Sequence, residues 1–170
     1  GATGQVGTEI VLQLRGRPGL TAVPVARSRS SAAYLLDQGV DVRIGSVDSI
    51  ESAREVLSDC AVVVNLAYDD NPKASSRRRN LTVQRNLIEA TDPDTKHVLA
   101  STIMVYAPEL PVRVPSTYGV EKLLIEEMAR RECASAAQTL YVFRLGHVLG
   151  DLQRITAKIR GEVASPPVPI

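Results

Sequence analysis

The chain has 170 residues, of which 44% are hydrophobic, and its formal net charge is +1. This length suits one domain with a proper core, and the near-zero charge gives no electrostatic reason to expect binding to nucleic acid or acidic membranes. No apolar run is long enough to span a bilayer, and two cysteines are too few for a disulfide framework. We therefore expect a cytoplasmic protein in which Cys60 and Cys133 are reduced, small hydrophobic side chains, although a secretory leader could have been removed.

Helical and extended patterns alternate along the chain. Apolar residues at helical spacing predict helices over 6–14, 31–38, 50–57, 80–90, 118–133 and 155–160, and apolar runs predict strands over 21–26, 40–44, 61–66, 98–101 and 140–145. The uninterrupted run at 61–66 is typical of a strand covered on both faces. Asp48, with Glu51 three residues later, predicts a capping box for the third helix. The strict alternation predicts βαβ units and an α/β fold with a doubly wound parallel sheet.

The segment G-A-T-G-Q-V-G at 1–7 carries three glycines at intervals of three, directly before a predicted helix. Gly1 would permit a tight turn, Gly4 would let the backbone approach a pyrophosphate, and Gly7 would let the helix pack closely on the sheet. The start of the helix adds unpaired N–H groups and a positive dipole end, which suit an anion. The segment indicates a dinucleotide-binding loop or, alternatively, an ordinary glycine turn.

Tyr118 and Lys122 are four residues apart on the longest predicted helix, so both side chains can face one site. A free phenol has a pKa of about 10, too high for a base at neutral pH. A cation a few Å away would lower this pKa, and the pair could then move a proton to or from a hydroxyl or carbonyl. The alternative is an amphipathic helix in which the tyrosine packs and the lysine is solvated.

Two further groups of polar residues allow a structural and a functional interpretation. Ser101 and Thr102 end a predicted strand, where the ligand crevice of an open parallel sheet lies, and a hydroxyl there could polarise a substrate oxygen. The same pair would also suit a turn or a helix cap. The run of arginines at 77–79 suits a solvated loop or helix start, and its alternative is contact with a substrate phosphate.

Six segments follow one another along the chain: G-A-T-G-Q-V-G at 1–7, N-L-A-Y at 65–68, N-L-T-V-Q-R-N-L-I-E-A at 80–90, S-T-I-M-V-Y at 101–106, Y-G-V-E-K at 118–122 and R-L-G-H-V-L-G at 144–150. In this order they resemble the extended short-chain dehydrogenase/reductase family, also called the NAD(P)-dependent epimerase/dehydratase family. The resemblance covers residues 1–150. It implies a Rossmann-like NAD(P)-binding domain over 1–150, followed by the start of an incomplete substrate-binding segment over 151–170.

The resemblance implies a role for each matching residue. Tyr118 would be the catalytic acid/base, and Lys122 would hold the nicotinamide ribose and lower the pKa of Tyr118. Thr102 stands where the family places its catalytic serine or threonine, and Ser101 is the weaker candidate. The residues implied to bind the cofactor are Gly1, Gly4, Gln5, Val6, Gly7, Ala67, Asn80, Tyr118, Lys122, Gly146 and Val148. His147 stands where the family commonly has asparagine, and we favour a structural role for it.

The end of the second strand predicts which nicotinamide cofactor is used. NAD-specific members carry an acidic residue there to bind the ribose 2′-hydroxyl, whereas this chain has Arg27, Ser28 and Arg29. Guanidinium and hydroxyl groups suit a 2′-phosphate, so NADP is favoured over NAD, unless these residues only form a solvated loop. Ser46 and Val47 lie where the family contacts adenine, although Ser46 replaces the usual aspartate. No metal site is predicted.

The resemblance implies an NAD(P)-dependent oxidoreductase that transfers a hydride between nicotinamide and a hydroxyl or carbonyl carbon of a small molecule, with a sugar nucleotide as the commonest substrate class. Epimerase, dehydratase and ketoreductase activities all stay open. The alternative is a non-catalytic, NADP-binding redox sensor or regulatory protein. A homodimer through the helices at 80–90 and 118–133 is also suggested, although core burial explains the same apolar residues. The first strand and the C-terminal substrate lobe of the family are expected to be missing or incomplete.

Overall fold

The computed structural model describes residues 1–71, 73–106 and 117–150. The helices are α1 (Gln5–Leu14), α2 (Ala33–Asp37), α3 (Ile50–Leu57), α4 (Ala74–Glu89) and α5 (Thr117–Ser135), and the strands are β1 (Val25–Ala26), β2 (Arg43–Ile44), β3 (Val62–Asn65), β4 (Lys96–Thr102) and β5 (Thr139–Leu145). A 3-10 turn over Ile103–Tyr106 follows β4. The helix predicted at 155–160 and the segment 151–170 lie outside the described residues.

All strand pairs are parallel. β1 pairs with β2, and β3, β4 and β5 form a three-stranded sheet in that order, with Asn65 opposite Leu99 and Leu99 opposite Val142. Helices connect the paired strands, which confirms the predicted α/β, Rossmann-like class. In the part of the chain that the structure describes, β1 and β3 do not pair, so the strands form two sheets. β1 and β2 are shorter than predicted, and Pro24, which has no N–H to donate, directly precedes β1.

Within residues 1–71, 73–106 and 117–150, three apolar clusters hold the layers together. The first joins α1, β1 and α2, the second joins α3, β3 and α4, and the third joins α4, β4 and α5. Their buried members are Val11, Ala26, Ala32, Leu35 and Val42 in the first, Ala53, Val56, Leu57, Val63, Val83 and Leu87 in the second, and Ile88, Leu99, Ile125, Ala129 and Cys133 in the third. Burying one such large aliphatic side chain stabilises the fold by roughly 1.5–3 kcal/mol. The predicted stripes of α3 and α4 are therefore core positions.

The prediction that the strand at 61–66 is covered on both faces is wrong for the described residues. Val63 and Asn65 are buried, whereas Val62 and Val64 are 50% and 45% exposed. Tyr141 and Phe143 on β5 are also exposed, and register places Tyr141 on the same row as Val64. The helices α4 and α5 pack against the sheet from one side, so alternate residues of β3 are buried and exposed.

The cap of α3 also differs from the prediction. The Ser49 hydroxyl accepts a hydrogen bond from the Ser52 N–H at 3.2 Å, so Ser49, and not Asp48, is the N-cap residue. Ser49 has the extended backbone that a cap requires, at φ −127° and ψ 161°. The carboxylate of Asp48 instead accepts two hydrogen bonds from Arg79, at 3.0 and 2.9 Å.

The arginine run lies inside α4, which begins six residues earlier than predicted. Arg77 forms a salt bridge with Glu121 at 2.5 Å, and Arg79 binds Asp48. Two of the three guanidinium groups therefore connect α4 to other elements of the chain, which favours the structural interpretation over a phosphate site. None of the described helices is long and apolar enough to cross a membrane.

Candidate active site

The glycine loop closes on itself before α1. The Gly4 N–H donates to the Gly1 carbonyl at 3.1 Å, and the helix begins at Gln5 without a side-chain cap. A Cβ on Gly1 would lie 2.5 Å from the Ala67 nitrogen, and a Cβ on Gly7 would lie 2.8 Å from the Ala2 Cα. Neither position can hold a side chain without a shift. Gly4 is less constrained by the protein, since its nearest neighbour would be the Gly1 carbonyl oxygen at 3.4 Å.

Asn65 fixes the loop that packs on the glycines. Its amide nitrogen donates to the Gln84 side chain at 2.6 Å, and its amide oxygen accepts from the Ala67 N–H at 2.9 Å. Both Asn65 and Gln84 are buried. The two residues thus hold Ala67, a predicted cofactor-binding residue, against Gly1. No motif assigned a role to these two residues; an amide within an apolar strand and another on the apolar face of a helix are the only sequence signals of this contact.

Asn80 holds the next part of the same loop. Its amide accepts from the Asp69 N–H and donates to the Asp69 carbonyl, both at 2.9 Å. Asn86, one and a half turns further along α4, donates to the Val47 carbonyl at 3.0 Å. Both asparagines therefore position loops at the carboxyl ends of strands. A direct contact between Asn80 and the cofactor stays a prediction.

The residues after β1 form a polar, exposed surface. The Ser28 hydroxyl lies 2.9 Å from that of Ser30 and donates to that of Ser31 at 3.2 Å. Arg27 and Arg29 are exposed, and neither forms a salt bridge within the described part of the chain. The charge of Arg27 contributes to the lowered pKa of Asp48, after the larger effect of the hydrogen bond from Arg79. This surface therefore lies near the predicted adenine-side residues, where Ser46 donates to Asp48 at 2.8 Å.

The predicted catalytic residues meet at the carboxyl end of β4. Thr102 is the last residue of β4 and is buried, and its hydroxyl accepts from the Met104 N–H at 3.2 Å. Tyr118 is 38% exposed in the first turn of α5, and a hydrogen bond joins its side chain to that of Thr102. Lys122 is only 6% exposed, and its Nζ donates to the Ala100 carbonyl at 2.7 Å. The structure thus brings Thr102, Tyr118 and Lys122 together.

Burial controls the ionisation of this group. It raises the pKa of Tyr118, and the hydrogen bond with Thr102 opposes that rise only in part. It lowers the pKa of Lys122 to about 8, against a smaller opposing effect of the Glu126 carboxylate. The expectation that Lys122 lowers the pKa of Tyr118 is not met here, because the ammonium is directed at the Ala100 carbonyl and the desolvation of the phenol dominates.

Close packing sets the position of α5 on the strand end. Gly119 directly follows Tyr118, and a Cβ there would lie 2.9 Å from the Met104 carbonyl carbon. Below the site, the fully buried Glu126 accepts from Arg144 at 2.7 Å and from Arg130 at 2.9 Å. Burial would raise the pKa of Glu126, but these hydrogen bonds outweigh it and hold the pKa below its ordinary range.

The remaining candidates are placed as follows. Ser101 is buried beside Glu126, on the opposite face of β4 from Thr102, which favours Thr102 as the residue facing the crevice. Gly146 and His147 are exposed after β5, and Gly146 lies near Ile103 of the 3-10 turn. Val148 is half-buried on the same segment. This segment therefore lies beside the 3-10 turn that follows β4, and its contact with the cofactor stays a prediction.

The glycine loop and the Tyr118–Lys122 pair lie on the same side of the molecule. Gly1 packs on Leu66 and Ala67, and the next residue, Tyr68, packs its ring on the ring of Tyr118 with 5.0 Å between centroids. Three consecutive residues after β3 therefore connect a loop suited to a pyrophosphate with a phenol suited to proton transfer. Among the described residues, no group of histidines, cysteines or carboxylates could hold a metal ion.

Comparison with known proteins identifies the family and the fold. A family model described as NAD(P)H-binding matches residues 1–139. A sequence search of curated proteins finds no significant match. The match to the family model confirms the predicted class of cofactor.

Solved structures with the same fold include three proteins that contain a bound nicotinamide dinucleotide. A short-chain dehydrogenase/reductase superfamily protein from Agrobacterium tumefaciens with bound NAD is 24% identical, with a TM-score of 0.66 over 85% of this chain and 47% of that one. The triphenylmethane reductase of a Citrobacter species, complexed with NADP(H), is 20% identical, with a TM-score of 0.58 over 82% and 46%. An NADPH-dependent quinone oxidoreductase from Escherichia coli, complexed with NADPH, is 19% identical, with a TM-score of 0.61 over 85% and 46%. The chain spans about half the length of these proteins.

Proposed function

Because the chain belongs to the NAD(P)H-binding family and has the fold of the short-chain dehydrogenases/reductases, we propose that it is an NADP(H)-dependent oxidoreductase acting on a carbonyl or hydroxyl carbon of a small molecule. The observation that carries this proposal is the meeting of Thr102, Tyr118 and Lys122 at the carboxyl end of β4, beside the loop that packs on Gly1. This is the place where open parallel sheets bind their ligands.

The residues around the glycine loop suit a dinucleotide. Gly1 packs on the backbone of residues 66–67, and Gly7 packs on the backbone of residues 1–2, so a Cβ at either position would clash. The start of α1, which has no side-chain cap, directs N–H groups toward the place where a pyrophosphate would bind. Arg27 and the hydroxyl cluster around Ser28 would bind a 2′-phosphate, and the nearby carboxylate of Asp48 is paired with Arg79. These features support NADP(H) over NAD(H).

The proton chemistry follows from the ionisation of the site. When bound, the nicotinamide supplies or accepts the hydride. Tyr118 has a raised pKa, so its phenol is protonated at neutral pH and can donate a proton to a substrate oxygen. Thr102 would orient that oxygen with its hydroxyl, and Lys122 would bind the ribose. A protonated Tyr118 favours carbonyl reduction among the reactions of the family, ahead of epimerisation and dehydration. A sugar nucleotide is the substrate class that the resemblance suggests first.

The test of this function compares Tyr118→Phe with Tyr141→Phe, since Tyr141 is exposed on β5 and serves as a matched control. NADPH oxidation is measured with a panel of ketones that includes keto sugar nucleotides. Removing the proton donor should lower turnover by roughly 10²–10⁴-fold, and the control should leave it unchanged. Equal turnover by Tyr118→Phe would refute the assignment. NADPH binding by the unaltered protein without oxidation by any ketone would indicate the redox sensor instead.

The preference for NADP(H) has its own test. Arg27→Ala removes an exposed guanidinium after β1, and Arg54→Ala removes one from α3 as a control. A charge-assisted contact to a phosphate contributes roughly 1.5–3 kcal/mol, so Arg27→Ala should weaken NADPH binding by about 10–100-fold and leave NADH binding unchanged. Equal weakening for both cofactors would contradict a role in 2′-phosphate recognition.

The homodimer is proposed on the outer surface of α4 and α5. A groove there is lined partly by Leu81, Val120 and Leu124, and the last two are exposed. Ile88 and Ile125 of the same two helices are buried in the core, so they are not part of this surface. Leu124→Glu should therefore convert a dimer to a monomer in sedimentation velocity. A wild-type protein that sediments as a monomer would remove this proposal without affecting the enzymatic one.

A further inference from the structure

Tyr68 contacts both members of the pair to which the proposed function assigns proton transfer and ribose binding. It lies on the loop after β3, and its ring meets the ring of Tyr118 edge to face, with 5.0 Å between centroids and 82° between planes. The ammonium of Lys122 lies 5.0 Å from the centroid of the same ring. Both contacts have favourable geometry, because an aromatic edge is attracted to a ring face and a cation to the ring quadrupole.

The far end of Tyr68 is anchored to both neighbouring helices. Its hydroxyl donates to Oε2 of Glu121 on α5 at 2.7 Å. Oε1 of Glu121 forms a salt bridge with Arg77 on α4 at 2.5 Å, and the Glu121 side chain is largely shielded from solvent. Hydrogen bonds to a carboxylate are stronger than neutral ones. The anchor therefore fixes the plane of the Tyr68 ring relative to α5.

Tyr68 is not itself suited to move a proton. Burial and the hydrogen bond to Glu121 both raise the pKa of its phenol well above the ordinary value. The hydroxyl proton is also committed to Glu121. Tyr68 thus stays neutral while Tyr118 faces Thr102, and its influence on the chemistry acts through the side chains that it touches.

We propose that Tyr68 is a positioning residue, whose anchored ring holds the Tyr118 phenol beside Thr102 and keeps the Lys122 ammonium at the carboxyl end of β4. The catalytic consequence rests on the proposed function, whereas the contacts do not. Each ring contact is worth a factor of roughly 2–10 in an equilibrium constant. Losing both contacts would let the Tyr118 phenol move away from Thr102 and the Lys122 ammonium move away from the carboxyl end of β4. Such displacement of functional groups lowers the rate of the catalysed reaction.

The first experiment separates the ring from the hydroxyl. Tyr68→Leu removes the ring, Tyr68→Phe keeps it, and Tyr141→Leu on the exposed sheet face is the control. NADPH-dependent reduction of a ketone accepted by the unaltered protein is measured. We expect Tyr68→Leu to lower kcat at least tenfold while KM for the ketone stays within about threefold, and Tyr68→Phe, which keeps the ring but loses the anchor to Glu121, to lower kcat by only about threefold. An unchanged kcat in Tyr68→Leu, with only a loss of stability, would overturn the proposal. If Tyr68→Leu does not fold, Tyr68→Met replaces it.

The second experiment does not depend on activity. A double-mutant cycle combines Tyr68→Leu with Lys122→Met, and the unfolding equilibrium constant of each variant is measured in urea. If the ring holds the ammonium, the double variant should depart from additivity by about fivefold. Additive effects would overturn the proposal. Should the unaltered protein reduce no ketone, the proposed function fails, and this cycle still decides whether Tyr68 holds Lys122.

Discussion

Lys122 keeps a charge in a place where burial opposes it, and this has a measurable effect on stability. The side chain is 6% exposed, and burial lowers its pKa from 10.5 to about 8. Below about pH 8 the lysine is charged in both the folded and the unfolded chain, and the folded state bears the full cost of desolvation. The gap between the two pKa values corresponds to about 3 kcal/mol, at roughly 1.4 kcal/mol per pH unit.

Lys122→Met removes the charge and keeps most of the side-chain volume. The variant loses the hydrogen bond to the Ala100 carbonyl, which costs about 1 kcal/mol, and the contact with the Tyr68 ring. We therefore expect it to be more stable than the unaltered protein by about 1–2 kcal/mol near pH 7. The other charged or titratable groups near Lys122 are Glu126 and Tyr118 on the same helix, and both are present in the two proteins being compared.

The pH dependence gives the decisive result. As the pH rises from about 8 to about 10.5, the unfolded chain holds more protons than the folded one, so the stability contributed at Lys122 increases. Urea unfolding at several pH values should show the advantage of Lys122→Met shrinking over this window and turning into a deficit of about 1–2 kcal/mol above it, because the lost hydrogen bond and ring contact are then no longer offset. Lys96→Met, at an exposed position of β4, controls for the loss of one charge. A variant that is less stable than the unaltered protein at pH 7, or a difference that does not vary with pH, would refute the reasoning.

Two further predictions concern the packing and charge beneath the site. Gly119→Ala would place a Cβ 2.9 Å from the Met104 carbonyl carbon and should lower the free energy of unfolding by about 1–3 kcal/mol. Gly146→Ala is the control and should be nearly neutral, because its Cβ would meet only Ile103 at 3.7 Å. Equal urea midpoints for the two variants would contradict this prediction. Glu126→Gln keeps the shape but removes the carboxylate that two arginines bind. Because both arginines are partly exposed, it should cost about 1.5–3 kcal/mol in urea unfolding at neutral pH. Because the pKa of Glu126 is lowered on folding, its contribution is lost as the pH falls through the folded value, so the two proteins should converge in acid.

Local sequence patterns predicted the helices and strands, whereas contacts between residues far apart in the sequence determined which strand faces are buried and where α3 is capped. The helices α3 and α5 followed from the spacing of apolar residues, and the parallel pairing of the strands followed from the alternation of strands and helices. The one-sided burial of β3 could not be predicted, because a continuous apolar run does not tell which helices cover it. The N-cap of α3 lies one residue later than predicted, because the carboxylate of Asp48 binds Arg79, which is 31 residues away in the sequence.

The same limit applies to the candidate site. The residue types at Thr102, Tyr118 and Lys122 predicted which side chains meet, since strand ends and helix faces bring them together. The sequence did not predict that burial would dominate the pKa of Tyr118. It also gave no role to Tyr68, whose hydrogen bond to Glu121 spans 53 residues. Such a contact depends on the packed structure and leaves no periodic signal in the chain.

The solvent exposure of the side chains on one face of α5 decreases along about two turns of the helix. Tyr118 is 38% exposed, Lys122 is 6% exposed and Glu126 is fully buried, each four residues after the last. Since one residue advances a helix by about 1.5 Å, a small axial slide of α5 would bring water to the ammonium or withdraw it from the phenol. The close packing of Gly119 on the Met104 carbonyl leaves little room for such a slide, so the contact that holds α5 along its axis also preserves the burial that shifts the pKa values of Tyr118 and Lys122.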